Sequence, residues 1–243
     1  AHGILGILPY NASLEGTIAY GGETLTRRRV EALRSREITL VPQGVTYLDP
    51  LMEIGPQIRR GRRDDRARAE SRAVLARYGL GCWSISNHLA GQCVCDTLPG
   101  AYDSRLDGFA PAELAGKPEA IQAWAIEAMK DTAQAAKAMG VDVVTFFMGS
   151  PIWKFWYSFP QTSEAQVEEG YQQVKTLWSP IMDEFDRCGV KLALEIHPTE
   201  IAFDYWSTKK LLDTFDRRPT LGINFDPSHL VWQGLDPQMF LLD

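Results

Sequence analysis

A chain of 243 residues with 45% hydrophobic and 23% charged residues can bury one large α/β core or two smaller ones. No apolar run reaches bilayer length, which excludes a membrane-spanning helix, and four cysteines without metal-finger spacing exclude a disulfide scaffold or zinc finger. The expected setting is reduced and cytoplasmic.

The overall charge of −6 hides a break. Residues 1–80 hold 13 Arg and no Lys against 9 acids, a net of +4. Residues 81–243 hold 8 Lys and 4 Arg against 22 acids, a net of −10. A boundary is therefore expected near Gly79–Gly81, with residues 1–80 and 81–243 of separate origin. The acidic balance of the second part argues against nucleic acid as a partner, and the arginines at 59–63 read as a solvated surface.

In chain order, an apolar segment at 3–8 ends at Pro9-Tyr10-Asn11. Glu15–Tyr20 alternates like a half-buried strand, and Gly21-Gly22 turns it back through Glu23-Thr24-Leu25 as a hairpin. Thr26 is placed to cap a short helix over 27–34. Ile38–Val41 reads as a strand stopped by Pro42, a short helix opens near Asp49-Pro50, and 62–78 is an amphipathic helix closed by Gly79. The runs Glu15-Gly16-Thr17-Ile18-Ala19-Tyr20, Arg36-Glu37-Ile38-Thr39-Leu40-Val41-Pro42-Gln43 and Leu48-Asp49-Pro50-Leu51-Met52 resemble the ATP-binding subunit of an oligopeptide or nickel ABC importer. The resemblance implies that Gln43 is the glutamine that senses nucleotide. Neither a phosphate loop nor a signature motif accompanies it, so the segment reads as a non-catalytic α/β fragment.

From residue 80 a different rhythm takes over. Helices ending at Gly79, Gly140 and Gly189 run straight into apolar segments at 80–86, 141–148 and 190–196, and a fourth segment follows at 220–226. Glycine after a helix releases the chain from the left-handed conformation into the strand. Helices are expected over Pro118–Met139, over Ser163–Arg187 with a bend at Pro180, and over Ser207–Phe215. Repeated helix–glycine–strand units predict parallel strands under outer helices, and strands buried on both faces.

Two strand ends carry the chemistry. Lys191-Leu192-Ala193-Leu194-Glu195-Ile196-His197-Pro198-Thr199-Glu200 runs from an apolar strand into acids and an imidazole, and Leu221-Gly222-Ile223-Asn224-Phe225-Asp226-Pro227-Ser228-His229 repeats the plan. Polar groups at the C-terminal ends of parallel strands are where such sheets place their sites. Side by side, the two ends would gather Glu195, His197, Asp226 and His229 at one mouth, a metal-site composition. His88, at the end of the first apolar segment, either joins that mouth or faces solvent. Asp226 reads equally as the cap of a helix begun by Pro227, and His197 as a ligand neighbour or a packed histidine. Trp83, Trp153, Trp156 and Trp232 read as core or pocket wall, and Gly149-Ser150 as a turn.

These strand ends, with Gly81-Cys82-Trp83-Ser84-Ile85-Ser86-Asn87-His88-Leu89, resemble the sugar phosphate isomerase/epimerase family of xylose isomerase-like TIM barrels. The resemblance implies a partial (β/α) barrel, strands three to six, with strands seven and eight beyond Asp243. It also implies a divalent ion, Mn²⁺ or Mg²⁺ with Co²⁺ or Zn²⁺ as options, held by Glu195 and Asp226. His229 would reach a substrate oxygen, Glu200 would make a further substrate contact, and His197 and His88 would lie near the substrate. The implied reaction removes a proton next to the carbonyl of a small sugar or sugar phosphate, with Glu195 as base. The second glutamate of that reaction would come from a later strand, so little turnover is expected of this chain alone. The implied partner is a small-molecule sugar, with no nucleic acid or membrane, and the fold is compatible with a homo-oligomer. Three other readings stand beside it: an importer ATPase fragment, an endonuclease-IV-like metal hydrolase, and an inactive chimeric or truncated chain.

Overall fold

The computed structural model describes residues 16–33, 69, 72–73, 75–79 and 81–241. The chain divides into two compact units, residues 1–55 and 56–243. In the first, β1 (Ala19–Tyr20) pairs antiparallel with β2 (Glu23–Thr24). Gly21 and Gly22 both take positive φ, 59° and 79°, which a tight two-residue hairpin turn requires. The Thr26 hydroxyl accepts the Arg29 amide at 3.3 Å and caps α1 (Arg27–Leu33) as its sequence position predicts. The strand expected at 38–41, the short helix near Asp49, Gln43 and the arginines at 59–63 lie outside the described residues.

The second unit is built on a four-stranded parallel sheet in the order β3-β4-β5-β6. Its elements are β3 (Ile85–Ser86), α2 (His88–Cys95), α3 (Pro118–Met139), β4 (Val143–Phe146), α4 (Glu164–Cys188), β5 (Lys191–Glu195), α5 (Tyr205–Thr214), β6 (Leu221–Asn224), α6 (Pro227–Trp232) and α7 (Pro237–Leu241). Short 3₁₀ turns at Ser104–Phe109, Ala112–Leu114 and Trp153–Phe155 fill the connections. The register sets Val144 beside Ile85 and Leu192, Leu194 beside Phe146 and Ile223, and Glu195 beside Asn224.

The helices fall where the sequence pattern puts them. On α3 the residues Ile121, Ala125, Ala128, Met129, Thr132 and Ala136 form one buried face, and its alanines permit close packing. On α4, Ser163 and Gln166 form a reciprocal capping box, and Pro180 lies inside the helix. Gly140 and Gly189 end α3 and α4 in the left-handed conformation, each at φ 70°. The sequence starts α5 at Ser207, but Asp204 and Ser207 cap each other's backbone and move the start to Tyr205.

Three differences matter. The first strand was expected from residue 80, yet only Ile85 and Ser86 pair, and Trp83 stands exposed. The strands are not buried on both faces: Leu192 and Leu194 are buried on one side of β5, while Lys191 is exposed and Ala193 and Glu195 are half-buried on the other. The sequence analysis also missed α2, whose Gly91 allows close approach to β4, since a Cβ there would stand 2.0 Å from the Phe147 carbonyl oxygen. The core lies between the sheet and α2, α3 and α4, with Phe146 packed on Trp178 at 4.8 Å between centroids. Burying each such side chain contributes about 1.5–3 kcal/mol. Among the described residues no helix is long and apolar enough to cross a membrane.

Candidate metal and substrate site

Glu195 is the last residue of β5 and the hub of the site. Parallel pairing brings its neighbours from other strand ends: Asn224 lies beside it on β6, and His88 opens α2 after β3. Asn224 Nδ2 donates to Glu195 Oε2 at 2.9 Å, and His88 Nε2 lies 3.1 Å from the same oxygen. His229 Nε2, on α6, lies 3.1 Å from Oε1. Both carboxylate oxygens are thus engaged by side chains from three other segments. The hydrogen bond to His88 is the leading influence that draws the Glu195 carboxyl below its usual range, helped by the charge of His88 and by His229, against the opposing effect of burial.

Asp226 serves two ends at once. Its Oδ1 accepts the Ser228 amide at 2.8 Å and caps α6, with Pro227 at the first helical position. Its Oδ2 lies 3.5 Å from His229 Nε2. The two readings of Asp226, cap and site residue, are therefore compatible. One ligand atom each from Glu195, Asp226 and His229 lies within 4.8 Å of the others, and all three residues are half-buried. Two carboxylates and an imidazole at that separation fit a divalent cation: the oxygens suit Mg²⁺ or Mn²⁺, and the imidazole favours Mn²⁺, Co²⁺ or Zn²⁺.

His197 does not touch Glu195 through any hydrogen bond. Its ring lies 4.3 Å from that of His229 and 5.0 Å from that of Phe147, and its buried Nδ1 has no partner. Burial first, and then the charge of His229, hold its pKa below the ordinary histidine value, so it rests neutral. Glu200, expected to contact substrate, is 0% exposed and binds backbone amides of the turn after β4. A side chain so enclosed presents no oxygen to a solute. Trp153 and Trp156 pack on Phe203 at 5.2 and 5.4 Å, whereas Trp83 and Trp232 are exposed. Sequence reasoning did not single out Asn224; its place two residues before Asp226, at the end of the strand beside β5, was the available signal.

The comparisons with known proteins bear on the fold. Residues 44–241 match the family described as "Xylose isomerase-like TIM barrel". The uncharacterized protein YfiH of Bacillus subtilis (strain 168) is 34% identical over 61 residues, 25% of this chain and 19% of that protein. The fold resembles the apo crystal structure of 3-keto-D-glucoside 4-epimerase, YcjR, from E. coli, with TM-score 0.53, 11% identity, and coverage of 76% of this chain and 60% of that one. A xylose isomerase domain protein from Planctomyces limnophilus aligns with TM-score 0.47 and 17% identity over 74% of this chain and 55% of that one. The chain thus spans about a fifth of the curated relative and little more than half of these two structures. The resemblance of residues 3–80 to an importer ATPase gains no support, since the barrel family already takes in residues 44–80. With four parallel strands under helices and a match over 44–241, the chain belongs to the xylose isomerase-like TIM barrel family.

Proposed function

We propose that this segment carries part of the active site of a sugar isomerase or epimerase that moves a proton at the carbon next to a carbonyl. The observation that carries the reading is the setting of Glu195: a carboxylate at a parallel strand end, held by Asn224 and drawn below its usual range by His88 and His229. An ionised, half-buried carboxylate fixed by three partners can take a proton from a carbon acid placed against it. His229 Nε2 stands between Glu195 and Asp226, which places it to join them around an ion. His197 and Phe147 pack ring to ring beside the mouth, 5.0 Å between centroids.

Glu195, Asp226 and His229 would hold a divalent ion, Mn²⁺ or Mg²⁺, whose positive charge would offset the negative charge that develops on a carbonyl oxygen. The partner this chemistry suits is a small sugar or sugar phosphate. With Asp226 assigned to the ion, the acid–base pair needs a further carboxylate to work opposite Glu195.

Solvent deuterium incorporation next to the carbonyl tests the reading. In a full-length barrel that carries this segment, incubated with Mn²⁺ and a panel of ketoses, Glu195→Gln is expected to cut incorporation by about 10²–10⁴-fold. Incorporation at the unmodified rate in that variant removes Glu195 from the role.

A further inference from the structure

The turn after β4 is held by acids from two different elements. Glu200 Oε2 accepts the amides of Met148 and Gly149 at 2.7 and 2.6 Å, and Asp96 Oδ1, at the end of α2, accepts the amide of Ser150 at 2.6 Å. Three successive N–H groups are therefore taken by carboxyl oxygens. The carbonyls of the turn are used as well: Met148 accepts from the Trp178 indole at 3.1 Å, and Gly149 from the Ile201 amide at 3.2 Å. Gly149 sits at φ 76°, where a Cβ would stand 2.6 Å from the Gln92 carbonyl oxygen and 2.9 Å from Asp96 Oδ1. The delivery of Glu200 to this turn is itself strained. Thr199, a β-branched residue, is held at φ 90°, a conformation that costs about 1–3 kcal/mol.

Glu200 is fully buried, and its Oε1 has no hydrogen-bond partner. Burial chiefly, and the charge of Asp96 next, push its pKa up to about 8. Placing an acid in so dry a site costs stability, and so does Thr199. The turn carries Phe147, which accounts for that expense. The Phe147 ring meets His88 edge-on at 4.6 Å and His197 at 5.0 Å. His88 reaches Glu195 at 3.1 Å, and His197 lies against His229 at 4.3 Å. A continuous set of contacts runs from the two acids, through the turn and one aromatic ring, to the imidazoles around Glu195.

We propose that Glu200 and Asp96 are positioning residues, a two-sided carboxyl clamp on residues 148–150 that sets Phe147 and thereby the His88 and His197 imidazoles around Glu195. The clamp itself stands on the apo geometry; only its effect on a bound ion rests on the metal reading above. Histidine ring signals in the NMR spectrum of the 243-residue chain report it directly, because the chain has only four histidines. Without metal, Glu200→Ala and Asp96→Ala are expected to shift the His88 and His197 signals, as the Phe147 ring current moves away. Glu200→Gln, which keeps a carbonyl oxygen for the two amides, is expected to leave them in place. Met182→Ala, a core truncation on α4, is expected to lower the melting temperature without moving them. In the unmodified chain the amides of residues 148–150 are expected to resist hydrogen exchange. Mn²⁺ titration should show affinity weakened about tenfold in Glu200→Ala and retained in Glu200→Gln. Unmoved His88 and His197 signals in a folded Glu200→Ala or Asp96→Ala variant overturn the proposal. Should neither variant fold, free exchange of the 148–150 amides in the unmodified chain overturns it, and protection supports it. If no Mn²⁺ binds at all, the metal reading fails while the histidine signals still decide the clamp.

Discussion

Glu195 and Glu200 lie five residues apart at the end of the same strand, yet the protein treats them as different chemical groups. Glu195 is half-buried, meets two imidazoles and an amide, and is drawn below the usual carboxylate range. Glu200 is fully buried among backbone amides, beside another acid, and is pushed up to about 8. Side-chain type cannot explain the contrast. Position does: one carboxyl ends the strand among hydrogen-bonding side chains, while the other is turned through Thr199 into the dry end of the neighbouring strand. At neutral pH Glu195 therefore carries its charge at the mouth, while Glu200 keeps its proton in the support.

The largest test of that contrast removes the charge at the mouth. Glu195→Gln with Asp226→Asn is expected to abolish Mn²⁺ binding in calorimetry, a loss of about 4 kcal/mol if affinity falls from micromolar to millimolar. Unchanged binding in the double variant would exclude the site. The support should fail through sterics. Gly149→Ala introduces a Cβ at φ 76° against Gln92 and Asp96, and we expect a loss of roughly 2–3 kcal/mol in denaturant unfolding. A variant as stable as the parent would show that the turn is free to shift.

The titration of Glu200 should appear in stability against pH. Its folded pKa is raised from 4.5 to about 8, so the folded state holds a proton that the unfolded state has released across that window. Stability from this group is fully present below about pH 4.5 and is lost as pH rises through about 8, with a slope of up to about 1.4 kcal/mol per pH unit. Asp96, raised to about 6 mainly by burial, adds the same sign at lower pH. Cys95 faces Glu200, and Lys154 tempers Asp96. Glu200→Gln is expected to flatten the upper part of the profile in thermal melts from pH 5 to 9. A profile that keeps its slope in that variant would assign the titration elsewhere. The smallest effect concerns the mouth again. His88→Gln removes the leading influence on Glu195, and its carboxyl should titrate nearer to the ordinary glutamate range in NMR; no upward movement would mean that His88 is not what holds it down.

The sequence made the strand ends legible because apolar runs that stop at charged residues are rare and directional. Leu192-Ala193-Leu194-Glu195 and Ile223-Asn224-Phe225-Asp226 announced a sheet and the edge that carries the candidate site, and Gly140 and Gly189 marked where helices yield to strands. Helix α2 stayed hidden. His88-Leu89-Ala90-Gly91-Gln92-Cys93 is short, contains glycine, and has no side-chain cap bond at Asn87. The burial of Glu200 was equally illegible, since the family resemblance points it toward substrate. Only the fold reveals that buried Ile201 and Ala202 beside it carry the chain inward. Asn224 was hidden for another reason: its partner is 29 residues away, and pairing register is needed to see it.

The register that sets Glu195 beside Asn224 has a consequence for how the gene can change length. Successive side chains on a strand face opposite ways, so one inserted or deleted residue in β5 or β6 exchanges the two faces. Leu194 would come to the mouth and Glu195 would be driven among the helices. Codon gains and losses within these strands are therefore close to lethal for the site. The stretch from 97 to 117, made of short 3₁₀ turns, has no such phase to keep. Among homologous genes, length variation should collect in that stretch, leaving the spacing within each strand fixed to the residue.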